Sequence, residues 1–458
     1  MLQQIDAFTN AMVELAWGPW LVALVLGGGL YFIIRSHFTP YRHIGHAFAL
    51  LRGDYDDPND PGQINHFKAL SAALAGTIGM GNIAGVALAI TIGGPGAIFW
   101  MWMTALVGMA TKFFTCSLAV MYRGRDSQGN LQGGPMYVIT EALPRPLHFL
   151  AYIFAAAGLI GCLPVLQSNQ LVQICRDLVF IEYGWLDAGA DPFAFNLVAG
   201  IVLAAGTAAV VFGGLQRIAS VAAAMVPGMS TLYIGSALIA IALNLQAVPD
   251  ALALILRDAF TGEAVAGGGL LAMILYGVQR GAFSNEAGMG TESLAHGAAR
   301  TSQPIREGVV AMVGPVVDTL LICTATAMMI LISGVWQHGG VNGVTLTAAA
   351  FSELLGPFGT VIIFSSVLCF ASTTIFTYSF YGTQCAGFLF GAQRKSLYLY
   401  AYVGFILVAS VISMNTAVNI IDTSFAIMAV PTMISAIWLA PHVLKAADAY
   451  WTYLSETR

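Results

Sequence analysis

The chain has 458 residues, of which 58% are hydrophobic and only 9% are charged, and its formal net charge is −5. Soluble proteins typically carry about a quarter charged residues, so this composition excludes an ordinary soluble domain and predicts an all-α polytopic membrane protein. A transmembrane β-barrel would show short alternating segments instead of long apolar runs. No acidic or basic tail suggests a nucleic-acid partner.

Eleven stretches are long and apolar enough to be transmembrane helices, since crossing the hydrocarbon core takes roughly 20 residues. Lys and Arg favour the cytoplasmic side of a membrane. With the N-terminus outside and the C-terminus in the cytoplasm, fourteen of them fall on the cytoplasmic side and two outside. The eleven predicted spans lie near residues 17–35, 67–92, 97–122, 147–180, 194–213, 217–244, 267–297, 306–335, 357–390, 397–414 and 418–441.

Glycines interrupt the second predicted span, where Gly79 and Gly81 fall in a stretch that lipid would otherwise keep helical. A broken helix frees backbone N–H and C=O groups, which membranes tolerate only where these groups line a cavity or are buried in protein. We expect the N–H groups of a half-helix that begins near Asn82 to attract a carboxylate. The carbonyls from Ala75 to Ile78 suit a cation such as Na⁺, and the Asn82 side chain could bind that cation or cap the half-helix. Close helix packing through small residues is the alternative.

The seventh predicted span repeats the Gly-Met-Gly triplet at residues 288–290 and carries unusual charges. Arg280, Glu286 and Glu292 each cost about 2.5–3.5 kcal/mol inside a bilayer on insertion scales. They are therefore expected to face a cavity or one another, either as a gate pair between Arg280 and one glutamate or in contact with substrate. Asp318, in the eighth span, is expected to be a hydrogen-bonded carboxylate that orients the interrupted helices or lies near an ion.

Polar side chains also concentrate in two other spans. Ser372, Thr373 and Thr374 are consecutive in the ninth span, and their hydroxyls either bond back to helix carbonyls or serve as ligands. In the fourth span, Gln167 and Gln170 are three residues apart and share a helical face. One of these two glutamines is expected to point into a central cavity.

A longer motif resembles a known family. Residues 93–108 read Gly-Gly-Pro-Gly-Ala-Ile-Phe-Trp-Met-Trp-Met-Thr-Ala-Leu-Val-Gly and resemble the signature of the alanine or glycine:cation symporter family, within the amino acid-polyamine-organocation superfamily. The resemblance covers about residues 64–390 and continues at residues 133–137, 283–288, 318–319 and 381–382. It implies a sodium-coupled amino-acid carrier with a leucine-transporter-like fold, in which two inverted repeats of five helices follow one extra helix and helices 2 and 7 are discontinuous.

The implied repeats divide the chain into consecutive parts of one membrane domain. Residues 1–66 would form the extra helix and a cytoplasmic loop, and residues 442–458 a cytoplasmic tail. The first repeat would occupy residues 67–244. The second would occupy residues 245–441, with outer amphipathic helices near 246–260 and 345–355.

The resemblance also implies a substrate site. The amides of Met80 and Gly81, next to Gly79, would bind the carboxylate of the amino acid. Family members contact the substrate at the positions of Gln167 and Thr374, and a pocket walled by Met80, Phe283 and Tyr378 would suit a small side chain. Many members have Thr at the position of Met80, Trp at that of Tyr378 and Glu at that of Thr383, so the resemblance implies a pocket of altered shape.

The principal Na⁺ site implied by the resemblance lies beside the same interruption. The carbonyls of Ala75 and Ile78 would bind the ion together with the hydroxyls of Ser372 and Thr373. Asn82 would complete the set of candidate Na⁺ ligands. Na⁺ would therefore be the coupling ion.

The leading interpretation is a sodium-coupled symporter that imports alanine or glycine across the bacterial plasma (inner) membrane by alternating access. The nearest alternative is the same carrier driven by protons, carried by Asp318, Glu286 or Glu292. An intramembrane enzyme is disfavoured because the chain has no HExxH or GxSxG motif. A channel is disfavoured because no filter motif or ring of like charges is visible. The expected partners are a small amino acid and the lipid bilayer, and the oligomeric state stays open.

Overall fold

The computed structural model describes residues 2–187, 189–261, 269–339 and 343–456, and its secondary structure is almost entirely helical. Helices are favoured because a membrane offers no water to satisfy exposed backbone groups. Within the described ranges, the first half of the chain forms α1 (Leu2–Ala16), α2 (Pro19–Arg35), α3 (Thr39–Arg42), α4 (Ile44–Arg52), α5 (His66–Thr77), α6 (Val86–Gly93), α7 (Ala97–Met121), α8 (Pro135–Ala142), α9 (Phe149–Gly161), α10 (Val165–Cys175), α11 (Phe193–Val211) and α12 (Gly214–Leu243).

The second half continues in the same manner. Its helices are α13 (Val248–Thr261), α14 (Gly269–Asn285), α15 (Glu292–His296), α16 (Pro304–Ala311), α17 (Val313–Pro315), α18 (Thr324–Ser333), α19 (Gly343–Leu355), α20 (Pro357–Phe390), α21 (Lys395–Val411) and α22 (Met414–Glu456). π-Helical segments span Gly81–Gly85, Arg176–Ile181 and Val316–Cys323. Short 3₁₀ turns span Arg145–Leu147, Leu245–Ala247, Val335–Gln337 and Ala392–Arg394. Strands β1 (Gly124–Arg125) and β2 (Leu131–Gln132) pair antiparallel, with Gly124 opposite Gln132.

Several helices are long and apolar enough to cross a membrane. Within the described residues there are 7, or up to 9 when each of two bent helix pairs is taken as one span. One bent pair is α1 and α2 (41°), and the other joins α5 to the segment Gly81–Gly93 (50°). Two further predicted spans fall on α14 and α21, which have 17 residues each. The count of eleven and the division into two inverted repeats stay predictions.

Two boundaries differ from those expected. A helix, α1, precedes the first predicted span, and polar residues such as Asp6 and Glu14 kept it from being recognised as part of a bent apolar pair. At the other end of the chain, α22 runs without interruption from Met414 to Glu456 through Pro441. Residues 442–456 therefore continue the last helix, because an internal proline in a long helix need not end it, and the cytoplasmic position of this tail stays a prediction.

The packing of the helices surrounds the second predicted span with protein. α5 packs against α12, α15 and α20, and the π-helical segment that follows it packs against α14, α19 and the segment Val316–Cys323. The residues from Ala69 to Ile90 are buried throughout. Backbone groups freed in this segment therefore lie within protein and away from lipid.

Candidate functional site

The first interruption separates α5 from the π-helical turn Gly81–Gly85, which continues into α6. The Asn82 side chain caps it: its Oδ1 atom accepts a hydrogen bond from the Gly79 N–H (2.8 Å), while the Asn82 N–H donates to the Gly79 carbonyl (3.2 Å). Among the described residues, no acceptor meets the N–H groups of Met80 and Gly81. Unpaired N–H groups at a helix start form a site for an anion.

Helix α20 lies directly against this interruption. The Thr374 hydroxyl donates to the Ile78 carbonyl (3.4 Å) and to the Phe370 carbonyl of its own helix (3.0 Å). A Cβ atom at Gly81 would lie 3.0 Å from a ring carbon of Phe283, closer than side chains normally approach. Glycine at this position thus allows close packing where the helix is interrupted, and the role of the interruption as a ligand site stays a prediction.

The hydroxyl cluster of α20 is arranged differently from expectation. The Thr373 hydroxyl donates to the Cys369 carbonyl (2.9 Å) and contacts the Met229 sulfur (3.8 Å). Ser372 is half-buried and lies about 160° around the helix from Thr374, because each residue turns an α-helix by about 100°. Thr374, and not Ser372, therefore donates to the Ile78 carbonyl, and the assignment of Ser372 to the Na⁺ site stays a prediction.

Other predicted site residues are buried. Ala75 lies in the last turn of α5 and Ile78 directly follows this helix, so both carbonyls are at its C-terminal end. Both residues are 0% exposed. Gln167 is 2% exposed, and its Oε1 atom has no hydrogen-bond partner among the described residues. Gln170, on the same helical face, accepts from the Val344 N–H (3.4 Å). Of the two glutamines, Gln167 thus keeps an oxygen available for a ligand.

Asp318 connects the two interrupted helices. Its carboxylate accepts hydrogen bonds from the Asn82 side-chain amide, from the Ser284 hydroxyl (2.9 Å) and from the Thr319 hydroxyl (2.6 Å). Asn82 also donates to Ser284 (3.2 Å) and to the main-chain carbonyl of Asp318 (3.1 Å). Asn82 follows the first interruption and Ser284 precedes the second. This position agrees with the expected role of Asp318 as a hydrogen-bonded carboxylate that orients the two helices.

The second interruption separates α14 from α15. Glu286 is the first residue of this interruption and has a φ of 54°, a left-handed backbone conformation that residues other than glycine rarely adopt. Its carboxylate accepts hydrogen bonds from the Tyr378 and Thr291 hydroxyls. Glu292 is also fully buried and accepts from the Thr115 hydroxyl (3.3 Å). Both glutamates are therefore held by hydroxyl donors.

Arg280 has a different partner from the one expected. Its guanidinium forms an ion pair with Asp422 of α22, and the Gln279 side chain also donates to that carboxylate (2.9 Å). The guanidinium carbon lies 5.3 Å from the centre of the Tyr276 ring and 5.4 Å from that of Phe283. The expected gate pair between Arg280 and a glutamate is wrong, because Arg280 precedes the interruption by more than one helical turn and reaches α22 instead.

Sequence reasoning missed three buried polar residues that contact the interrupted helices. Asp422 and Glu307 are buried carboxylates in apolar spans, and the rule that such groups pair with one another could have singled them out. Thr377 of α20 lies beside Gly76 of α5, and the Thr377 hydroxyl has no partner among the described residues. A Thr at this position looked ordinary in sequence because hydroxyls usually bond back to their own helix.

Two cavities approach the region from different ends. One, of about 310 Å³, is lined by Tyr276, Arg280, Asn419 and Asp422 among others. The other, of about 470 Å³, is lined by residues of the predicted cytoplasmic side, including Gln63, Asp126, Thr383, Gln384 and Lys395. Met80, Gly81 and Thr374 are buried, so the interruption itself is closed to solvent.

Asp126 organises the wall of the larger cavity. Burial alone would raise the pKa of its carboxyl, but hydrogen bonds from the Gln128 and Asn130 N–H groups and the Lys395 ammonium outweigh burial and lower the pKa to about 2. The neighbouring Ser127 hydroxyl accepts from the Ala392 N–H (2.8 Å). The β1–β2 hairpin is thereby fastened to the start of α21.

Comparison with known proteins decides the family. The family model described as "Sodium:alanine symporter family" matches residues 2–457. The chain belongs to the sodium:alanine symporter family. It is 37% identical to the sodium/alanine symporter AgcS of Methanococcus maripaludis, over 97% of both chains. It is 32% identical to the probable sodium/glutamine symporter GlnT of Bacillus subtilis, over 98% of this chain and 91% of the relative.

Family membership confirms the resemblance seen in the signature at residues 93–108. The chain is a multi-pass membrane protein for amino-acid symport, and it is not an enzyme. The fold is that of the leucine-transporter group. The crystal structure of MhsT in complex with L-phenylalanine superimposes with a TM-score of 0.59, at 14% identity, over 85% of this chain and 99% of that one. At this identity the likeness concerns the fold alone.

Proposed function

We propose that this symporter couples the inward movement of Na⁺ to the uptake of a small neutral amino acid, alanine or glycine, across the bacterial plasma membrane. The observation that carries the proposal is the pair of unpaired N–H groups at Met80 and Gly81, beside the contact between Thr374 and the Ile78 carbonyl. One side of the interruption suits an anion and the other suits a cation. An amino-acid carboxylate and Na⁺ fit these two sides.

The carboxylate is the first group to be placed. The Met80 and Gly81 amides, at the positive end of a helix, would hold it, and the dipole of the following turns would add to the attraction. Gln167, with its unpartnered side-chain oxygen, could accept a hydrogen bond from the amino group. Phe283 and Tyr378 are buried large side chains and would leave room for a small substrate side chain.

The Na⁺ ion would bind on the opposite side of the same interruption. The carbonyls of Ala75 and Ile78 end α5, and helix ends of this kind hold coupling ions in transporters. The Thr374 hydroxyl of α20 already contacts one of these two carbonyls, and the hydroxyls of Ser372 and Thr373 on the same helix are the other candidate ligands. Asn82 would act through its cap on Gly79, which fixes the shape of the interruption.

Coupling follows from the shared interruption. An ion that stabilises the end of α5 also fixes the amides that hold the carboxylate, so each ligand raises the affinity for the other by the same factor. Inward movement of one Na⁺ is further driven by roughly 2.3 kcal/mol per 100 mV of membrane potential. Alternating access would arise from rocking of one group of helices against the rest.

Uptake of radiolabelled L-alanine into liposomes that contain the purified protein tests this proposal. At equal pH on both sides, an inward Na⁺ gradient is expected to drive accumulation, and replacement of Na⁺ by K⁺ is expected to abolish it. Liposomes without protein and liposomes treated with a Na⁺ ionophore are the controls. Accumulation driven by a pH gradient without Na⁺ would contradict Na⁺ coupling and favour a proton carrier.

A further inference from the structure

The larger of the two cavities described above lies beside the second half of α20, outside the site at the interruptions. Its volume is about 470 Å³, within the range of about 300–1,000 Å³ that small-molecule sites occupy. Its walls come from the segment before α5, the β1–β2 hairpin, the start of α12, α20 and the start of α21. The cavity therefore has room for a small ligand.

An ammonium group belongs to the wall of this cavity. The Lys395 Nζ atom donates to the Asp126 carboxylate (3.2 Å), and the Lys395 side chain is 22% exposed. An ammonium has three donors, so this bond leaves donors for a ligand. The Asp126 side chain is 1% exposed and also accepts from the Gln132 side chain (3.1 Å). Asp126 therefore holds Lys395 in place, and the ammonium is the group that can bind a carboxylate.

Gln384 of α20 contributes a free acceptor to the same cavity. Gln384 is 7% exposed, and its Oε1 atom has no hydrogen-bond partner among the described residues. A buried polar atom without a partner costs about 1–3 kcal/mol. The torsion that orients a glutamine amide is broad, so the amide can present its oxygen to the cavity. Gln384 therefore suits a ligand that brings an N–H donor.

The charges of the wall favour a ligand without net charge. Of the described residues that line the cavity, Asp126 and Lys395 are the charged ones, and their charges cancel. A ligand with net charge would leave that charge uncompensated in a partly buried site. The remaining wall includes apolar side chains, namely Leu131, Leu215, Ile218 and Phe380. A zwitterion with a short aliphatic side chain meets all three conditions.

The cavity lies on the side of the interruption that is predicted to face the cytoplasm. Thr374 contacts the Ile78 carbonyl, and Thr383, nine residues further along α20, lines the cavity. At about 1.5 Å per residue, Thr383 is roughly 14 Å from Thr374 along the helix axis. An amino acid that leaves the interruption for the cytoplasm along α20 therefore reaches this cavity.

We propose that this cavity is a second binding site, which holds the transported amino acid as a zwitterion before its release into the cytoplasm. Lys395 binds the carboxylate, Gln384 binds the ammonium, and the apolar wall contacts the side chain. The choice of amino acid rests on the proposed function. None of the described residues that line the cavity is a candidate Na⁺ ligand, so binding here does not require Na⁺.

Binding of radiolabelled alanine to the purified full chain in K⁺, without Na⁺, isolates this cavity from the Na⁺-dependent site. Gln384→Met removes the acceptor at nearly constant length, and Lys395→Met removes the ammonium. Gln393→Met and Arg394→Met are the matched controls, since both residues are exposed neighbours that do not line the cavity. Thermal unfolding and Na⁺-dependent alanine binding of each variant show that it is folded.

We expect the wild-type protein and both controls to bind alanine weakly and saturably in K⁺. The Kd is expected to rise about tenfold or more in each cavity variant, because each loses a hydrogen bond to a charged group of the ligand. Absence of saturable binding to the wild-type protein in K⁺ would overturn the proposal. A Kd that is unchanged in both cavity variants, or raised equally in the controls, would overturn it as well.

Competition with alanine analogues tests the zwitterion itself. L-Alaninamide lacks the carboxylate and propionate lacks the ammonium, so both are expected to displace alanine in K⁺ much more weakly than unlabelled alanine does. Displacement by propionate as strong as that by alanine would show a site for anions and overturn the proposal. Equally strong displacement by L-alaninamide would do the same for a site for cations.

This result is distinguishable from a failure of the proposed function. If the wild-type protein shows neither Na⁺-dependent binding nor Na⁺-driven uptake of alanine, the proposed function fails. Binding in K⁺ and its response to Gln384→Met and Lys395→Met still decide whether the cavity is an amino-acid site.

Discussion

The side-chain amide of Asn82 donates to both the carboxylate and the main-chain carbonyl of Asp318, and so joins the first interrupted helix to the π-helical segment Val316–Cys323. Because the Nδ2 atom is held by Asp318, the Oδ1 atom of Asn82 is directed to the Gly79 N–H. The shape of the proposed ligand site therefore depends on a carboxylate that lies 236 residues away in the sequence.

Replacement of Asp318 tests this dependence. Asp318→Ala removes the carboxylate that accepts from the Asn82 amide and the Ser284 hydroxyl, and the loss of a buried hydrogen-bond partner costs about 1–3 kcal/mol. We expect a several-fold rise in the alanine concentration that gives half-maximal uptake, with a smaller rise in Asp318→Asn, which keeps one acceptor oxygen. Equal, wild-type kinetics in both variants would show that Asp318 does not shape the site.

Replacement of single hydroxyls on α20 tests whether Thr374 or Ser372 is the Na⁺ ligand. Thr374→Val keeps the shape of the side chain and removes the hydroxyl that contacts the Ile78 carbonyl. The Na⁺ concentration for half-maximal uptake is therefore expected to rise about tenfold or more, the equivalent of roughly 1.4 kcal/mol. Ser372→Ala, on the other side of the helix, is the matched control and should leave this concentration unchanged. A shift in Ser372→Ala alone would reverse the assignment.

Met80 is predicted to shape the substrate pocket. It is 0% exposed, and its own amide is one of the two that would hold the carboxylate. Met80→Thr shortens the side chain and adds a hydroxyl, and a buried hydroxyl favours a substrate that can bond with it. The uptake of serine relative to alanine is expected to increase, as measured by competition between the unlabelled amino acids. An unchanged ranking of alanine, glycine and serine would place Met80 outside the pocket.

The ion pair of Arg280 with Asp422 is predicted to stabilise the folded protein, so that removal of one partner alone lowers the stability. Arg280→Met leaves a buried carboxylate without its partner, which typically costs about 3–5 kcal/mol. The double variant Arg280→Met/Asp422→Leu removes both charges and should recover much of that loss. Thermal unfolding of the detergent-solubilised protein measures both effects. A double variant that is as unstable as the single one would mean that the pair is not the source of the effect.

The bend between α5 and the segment Gly81–Gly93 could be predicted from local sequence. Gly79 and Gly81 revealed the first interruption, because glycine in an apolar helix is costly unless the backbone must turn or approach another chain closely. The partner of Arg280 could not be predicted, because Asp422 lies 142 residues away and pairing across helices depends on tertiary packing. The contact of Thr374, and not Ser372, with the Ile78 carbonyl could not be predicted for a related reason. Consecutive residues face different directions on a helix, and only the packed structure fixes which direction meets the interruption.

Equilibrium binding of alanine to the purified protein at increasing Na⁺ concentration tests the central claim most directly. If the amino-acid carboxylate and Na⁺ bind on the two sides of the interruption at Ile78–Gly81, the Kd for alanine must fall as Na⁺ rises, and alanine must raise the affinity for Na⁺ by the same factor. Thr374→Val should weaken this dependence. A Kd for alanine that is the same in Na⁺ and in K⁺ would contradict the account.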